Sequence, residues 1–335
     1  YKTSTEANQA AFPEGLYFME KNGPVFGYIQ PQTKIVTNLW GNQNRSSTPP
    51  VTGTAISKNL SMSMAIANGA AMPLMFDSSG LPWLRVDYAL VSVDSSNKVV
   101  VKTTAATTYL AQMAANNANP VNYGLGYYSG TQNFALKNNG LFIMPNSVQA
   151  GYDPIISIRY MDFTNLVMPI IIGGNYLSSS NSAASADIAT PGNVAVAPLW
   201  TSCRNAGGCY MQYQAGSDRL YFSENNKVRY ITSPDNTATA TLGTLYTAAS
   251  QIGNISFTPD GSQLWYFRGG SGLYCHDISS GKSWCDDTTD HYAIRTAAGF
   301  TYTAGPNQIT WKDNQTMFLS TYNGLILQFN LPTGP

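Results

Sequence analysis

The chain has 335 residues and 43% hydrophobic content, enough for one large domain or two ordinary ones with a real core. Eighteen basic and eighteen acidic residues cancel, and no run of Lys or Arg supplies the phosphate-neutralising patch that nucleic-acid binding requires. The longest apolar stretches, such as residues 166–172, fall far short of the ~20 residues a membrane-spanning helix needs, so a membrane-spanning chain is not expected. Charged residues make up only 11%, while Ser, Thr and Asn together supply roughly a quarter, so solubility rests on neutral polar groups.

Along the chain, a polar or Gly-containing turn followed by an aromatic or aliphatic strand recurs six times. The copies are FPEGLYFM from 12, FDSSGLPWL from 76, LKNNGLFIM from 136, AGSDRLYF from 215, TPDGSQLWYF from 258 and KDNQTMFLS from 312. Each leads to a further strand ending in a turn: VFGYIQPQTK from 25, ALVSVDSSNK from 89, IISIRYMDFT from 155, KVRYITSPDN from 227, GLYCHDISSGK from 272 and GLILQFNLPTG from 324. Residues 255–286 set the template, reading as strand, Pro-Asp-Gly turn, strand, Gly-rich turn, strand, Ser-Gly turn, strand. A β-sandwich also shows many short strands, but it gives no reason for the same order repeated. The expected fold is therefore all-β, a single domain over residues 1–335 built as a six-bladed β-propeller of four-stranded antiparallel blades. Approximate blades are residues 7–48, 49–118, 119–182, 183–250, 251–296 and 297–335.

The run FTPDGSQLWYF followed by LYCHDISSGK resembles the repeat of TolB-type and YVTN-type propellers, the other five copies following it in pattern rather than in letters. The resemblance implies a fold and carries no catalytic residues with it.

The last copy ends straight after its third strand, so its outermost strand must come from elsewhere. Residues 9–12 are expected as the inner strand of blade one, which leaves residues 1–6, YKTSTE, to pair as the fourth strand of blade six and close the ring. Helical composition is confined to residues 60–75 and 108–118.

The four cysteines fall into two close pairs. Cys275 and Cys285 flank a Ser-Ser-Gly turn and count outward to facing positions, and Cys203 and Cys209 enclose a small flexible loop, so two disulfides are expected. A zinc site made from all four is the rival, against the usual spacing of paired ligands. Disulfides place the protein outside the cytoplasm, in a periplasm, at a cell surface or in the secreted fraction, its numbering starting in or near the mature chain. Sequons stand at Asn44, Asn59, Asn254 and Asn314, and an Asn-rich chain produces such matches by chance.

The spacing of the copies averages near 60 residues, more than the roughly 40 to 50 of a four-stranded blade, and the surplus falls in three long connections at residues 40–71, 104–130 and 174–208. The later connections, between blades four and five and between five and six, read as short. In a propeller such connections emerge on one face, where they form a raised wall. The second and third carry Tyr109, Tyr123, Tyr127, Tyr128, Tyr176 and Trp200, flat apolar groups with a polar tip that suit a protein or sugar partner or simply pin the loops to the blades. Residues 177–193 read as a mobile low-complexity linker.

Ionisable groups that converge are few. His276 lies between Cys275 and Asp277 in a strand, where a structural role is expected. Asp286, Asp287, Asp290 and His291 form the densest acidic cluster, a solvated loop or a set of oxygen ligands for calcium, the only cofactor the sequence suggests. No nucleophile elbow, phosphate-cradling loop or HExxH is present, and most Asp residues fall at turns, where they cap backbone amides. The expected function is a non-catalytic extracytoplasmic protein-binding propeller within an envelope or surface assembly. The alternatives are a secreted lectin or adhesin and a calcium-dependent hydrolase of the lactonase kind.

Overall fold

The computed structural model describes residues 1–19, 25–41, 45–46, 51–57, 62–63, 74–86, 89–104, 134–137, 140–143, 158–162, 170–173, 186–197, 199, 210–268, 272–279, 285, 306–321 and 325–331. The chain is all-β, with six antiparallel sheets of three or four strands and one short parallel pair. Short 3-10 turns are the helical elements among the described residues. Two compact units divide the chain, Tyr1–Ser179 and Ser180–Pro335.

In the first unit, β1 (Leu16–Met19), β2 (Phe26–Ile29) and β3 (Val36–Trp40) form a three-stranded meander. β4 (Arg45–Ser46) and β5 (Met62–Ser63) pair in parallel. β6 (Leu74–Phe76), β7 (Pro82–Val86), β8 (Ala89–Val93) and β9 (Val99–Thr104) form a four-stranded sheet, as do β10 (Phe134–Lys137), β11 (Gly140–Ile143), β12 (Ile158–Asp162) and β13 (Ile170–Ile172). The period of two places alternate residues such as Val91 and Val93 on one face, where they are buried with Phe12, Tyr17, Phe26, Trp40, Leu84 and Val99. Each large apolar side chain fully removed from water contributes about 1.5 to 3 kcal/mol.

Three expectations in this unit are corrected. Residues 9–12 form a turn rather than a strand: the Phe12 amide donates to the Asn8 carbonyl at 2.9 Å, with Asn8 in the left-handed region at φ 58°. The N-terminal segment pairs beside the first sheet, where Lys2 and Gly15 exchange two backbone hydrogen bonds at 2.9 and 3.0 Å. Leu16 pairs with Ile29, and successive residues aim their backbone groups to opposite sides, so Lys2 occupies the free edge of β1, where residues 9–12 were expected. Finally, Met62–Ser63 and Leu74–Phe76 are strand, so the described part of residues 60–75 is not helical. Met and Leu there serve sheet pairing, and tertiary context overrides local propensity. Residues 108–118 lie outside the described residues.

In the second unit, β14 (Met211–Gln214), β15 (Arg219–Glu224), β16 (Lys227–Thr232) and β17 (Thr241–Thr247) make a four-stranded meander. β18 (Ile252–Phe257), β19 (Gln263–Arg268) and β20 (Gly272–Asp277) make the next sheet, and β21 (Pro306–Trp311), β22 (Thr316–Thr321) and β23 (Ile326–Asn330) the last. Directed bonds interlock neighbouring sheets: Trp311 Nε1 donates to Ser256 Oγ at 3.0 Å, the Tyr246 and Tyr266 hydroxyls meet at 3.0 Å, and the Phe257 amide donates to Gln212 Oε1 at 3.0 Å. Cys275 and Cys285 form a disulfide with their Cα atoms 5.2 Å apart, buried among Trp265, Trp311 and Met317. Thiolate ligation of zinc by all four cysteines is thereby excluded, because two of the four sulfurs are bonded to each other.

The six repeated strand pairs lie where the sequence puts them. In the five later sheets the marker turn joins the first two strands: Asp77 lies between β6 and β7, Asp218 between β14 and β15, Asp260 between β18 and β19, and Asp313 between β21 and β22. The carboxylates hold these turns. Asp77 Oδ1 accepts from the amides of Ser79 and Leu81 at 2.9 and 3.0 Å, and its Oδ2 from Trp83 Nε1 at 2.9 Å. Asp313 accepts from the amides of Gln315 and Thr316 at 2.9 and 2.7 Å. Gly80 adopts φ 68°, and a Cβ there would strike the Ala7 carbonyl, so the turn needs glycine on both counts.

Candidate functional site

The long connections separate sheets: β3 ends at Trp40 and β6 begins at Leu74, β9 ends at Thr104 and β10 begins at Phe134, and β13 ends at Ile172 while β14 begins at Met211. The connection between β17 and β18 is short, Thr247 to Ile252, whereas β20 and β21 stand at Asp277 and Pro306. Tyr109, Tyr123, Tyr127, Tyr128, Tyr176 and Trp200 lie outside the described residues, as do Cys203, Cys209, Asp286, Asp287, Asp290 and His291. Among the described residues, no group of three His, Cys, Asp or Glu side chains is placed to hold a metal ion.

A buried polar constellation sits in the second unit, at the edge of β17. Glu224 ends β15, Asn225 turns the chain in the left-handed region at φ 55°, and Lys227 opens β16 opposite Glu224. Arg229, two residues on, is fully buried. Its Nη1 donates to the equally buried Glu224 Oε2 at 3.0 Å, and its Nε to the Gly243 carbonyl at 3.3 Å. Nη2 reaches past β17 to the Ala186 carbonyl at 3.3 Å and to Asp187 Oδ1 at 3.2 Å. The planar guanidinium fork makes this possible, since its donors leave in several fixed directions at once. Gly243 lies opposite Tyr230, whose ring fills the space a Cβ would take.

Asp187 belongs to a segment that adds to the sheet edge. Ile188 and Leu242 exchange backbone bonds at 2.8 and 2.9 Å, and the Asp187 carboxylate takes the Thr244 amide at 3.1 Å and the Thr244 hydroxyl at 2.7 Å. A carboxylate thus continues the ladder where a further backbone carbonyl would stand. Partial burial pushes the Asp187 pKa up, but the two Thr244 hydrogen bonds and the charges of Arg229 and Lys227 outweigh it and hold the group below its ordinary value. The expected mobile linker of residues 177–193 is corrected at this point, because Asp187 and Ile188 are tied down by bonds its composition does not reveal. One signal was available: Asp187 is the single charged residue between Asp162 and Arg204 and is followed by a β-branched residue, so it stands out in a run of Ser and Ala.

Several other described ionisable groups are engaged by neighbours within their sheets and turns. His276 stacks on the Tyr246 ring, centroids 4.3 Å apart, which fits a structural role. Asp260 Oδ1 holds its own turn through Thr258 Oγ1 and the Ser262 amide at 2.7 and 3.0 Å, while Asn314 Nδ2 donates to its Oδ2 at 2.8 Å and ties this turn to the next. Asn314 is therefore engaged as an amide, and Asn254 is buried within β18. The remaining sequons, Asn44 and Asn59, lie outside the described residues.

No family model matches the chain, and no curated protein matches it either. Among solved structures it is similar to the crystal structure of a structural genomics protein of unknown function from Bacteroides thetaiotaomicron VPI-5482, with a TM-score of 0.50 and 12% identity. The match covers 94% of this chain and 66% of that one, so the chain spans just under two thirds of that protein's length. A likeness at this identity concerns the fold alone.

Proposed function

We propose that the six sheets are the blades of one six-bladed β-propeller of the TolB or YVTN kind, serving as a non-catalytic protein-binding module in an extracytoplasmic assembly. The observation that carries this reading is the division of labour along the chain. Repeated hairpins with carboxylate-held turns and hydrogen-bonded neighbouring sheets make a stiff scaffold, while Tyr109, Tyr123, Tyr127, Tyr128, Tyr176 and Trp200 fall in sequence within the long connections between sheets. Rigid scaffolds that display aromatic loops are suited to partner recognition, since each aromatic covers a large area at small entropic cost. The buried disulfide favours an oxidising compartment, and among the described residues no helix is long and apolar enough to cross a membrane.

The test is isolation under mild conditions from the native envelope or secreted fraction, with the wild type beside a Tyr127→Ala/Tyr128→Ala/Trp200→Ala variant. A stoichiometric protein partner that the variant loses is the expected result. Glycan-array binding lost by the same variant would replace a protein partner with a sugar. Bound calcium, together with a melting temperature that falls in chelator, would overturn the non-catalytic reading in favour of a metal-dependent hydrolase.

A further inference from the structure

We propose that the outer edge of β17 is an acceptor site for an extended, aspartate-bearing peptide segment, held in this structure in a self-occupied state by residues 186–188. The inference stands independently of the aromatic side chains of the long connections, because the contacts it uses are made by described residues of the second unit.

The recognition chemistry is displayed by the segment already seated. Backbone pairing of Ile188 with Leu242 supplies the strand addition, which any extended chain can make. Selectivity comes from one side chain, because the Asp187 carboxylate takes three donors at once, the Thr244 amide, the Thr244 hydroxyl and Arg229 Nη2. The residue before it contributes only its carbonyl, to the same Nη2. The acceptor therefore reads an aspartate in an extended segment, whose neighbours contribute backbone groups alone.

What makes the seat releasable is the charge arrangement behind it. An arginine buried with a single carboxylate partner cannot lose that partner without stranding a charge in low dielectric. Among the described residues Arg229 has two, and they differ in place: the Glu224 side chain is 0% exposed, whereas that of Asp187 is 56% exposed. When residues 186–188 leave, Glu224 still neutralises Arg229 and the Gly243 carbonyl still accepts from its Nε, while Asp187 returns to water at little cost. Glu224 and Gly243 thus maintain a preformed site, and Asp187 is its exchangeable occupant. A strand edge so exposed is one that chains cover or pair, and here the covering piece has the chemistry of a ligand.

The experiment uses the full chain carrying Asp187→Asn and Ile188→Pro, which removes the carboxylate and the Ile188 amide together. The probe is a fluorescein-labelled peptide of residues 184–190, ASADIAT, followed by anisotropy. The variant is expected to bind it, the wild type to bind at least about tenfold more weakly because its site is filled, and the peptide with Asn for Asp to lose about tenfold on the variant. A folded variant that ignores the peptide, or a wild type that binds it equally well, would overturn the proposal. Should the variant fail to fold, hydrogen exchange on the wild type decides. The amides of Leu242 and Thr244, which donate to the segment, are expected to exchange at least tenfold faster than that of Thr232 across the same sheet, and to slow when excess peptide is added. Exchange at one common rate, unmoved by peptide, would show that the segment never opens.

Discussion

Among the described residues, three sheet edges are bridged by short segments of the chain's own sequence, at Lys2, Ala55 and Ile188, and the first and last of these are covered in opposite ways. In the first unit Lys2 pairs with Gly15 beside β1, and its side chain is fully buried with Nζ donating to the Ala7 carbonyl at 2.7 Å. In the second unit Ile188 pairs with Leu242 beside β17, and the charged neighbour that anchors it, Asp187, remains more than half exposed. Each addition rests on one bridge, so the side chains decide its permanence. A buried ammonium ties its segment in place, whereas a carboxylate at the surface, facing an arginine that already has a buried partner, leaves its segment free to exchange. Edge protection and edge recognition are thus one geometry with the charge placed at different depths.

The largest effect is expected where the charge behind the exchangeable segment is removed. Arg229→Met removes the buried ion-pair partner of Glu224 and should cost about 3 to 5 kcal/mol in denaturant unfolding. A loss below 1 kcal/mol would mean that Glu224 finds water, and the preformed site would not exist. Lys2→Ala comes next, at about 1 to 3 kcal/mol, because the Ala7 carbonyl loses its donor in a packed setting against Gly80. Asp187→Asn should cost the least, about 1 kcal/mol or under, as fits a half-exposed ion pair. If it equalled Lys2→Ala, the contrast between a tied and an exchangeable edge would collapse.

The pH dependence separates the two edges at opposite ends of the scale. The Asp187 carboxyl is held below its ordinary value, so the folded state binds protons less readily than the unfolded one. Its stabilising effect is complete above the unfolded carboxylate pKa of about 3.9 and is lost as pH falls through the folded value. Burial lowers the Lys2 pKa, partly countered by the charge of Glu6, so its folded state also binds fewer protons and stability rises as pH climbs toward about 10.4. Difference melts should show this: wild type against Asp187→Asn diverge above about pH 4 and converge in acid, and wild type against Lys2→Met change between neutrality and about pH 10. Asp260 and Asp313 are also held low, by the amide and hydroxyl donors of their turns, so some acid sensitivity persists in every variant.

Much of the strand order was legible because its causes are local. An Asp at the marker turn closes on amides two to four residues ahead, and alternation of polar and apolar residues sets which face is buried, so TPDGSQLWYF and KDNQTMFLS read correctly as turn and strand. The pairing of Cys275 with Cys285 was legible for the same reason, since the two lie only 10 residues apart around one turn. Composition misled at Met62–Ser63 and at Leu74 and Met75, which form strands within a stretch whose Met and Leu suggest helix. It misled again at residues 177–193, where a Ser and Ala run suggests a linker although two of its residues are bound to a sheet.

The sequence by itself determined the all-β class, the six strand pairs and the turns that join them, because each depends on residues within a few positions of one another. Only the tertiary structure decided which segments cover the sheet edges. Asp187 meets Arg229 and Thr244 across 42 and 57 residues, and Lys2 pairs with Gly15 rather than with the last sheet. Such pairings are selected by a few hydrogen bonds and one buried charge, quantities set by three-dimensional placement that no period or turn motif encodes.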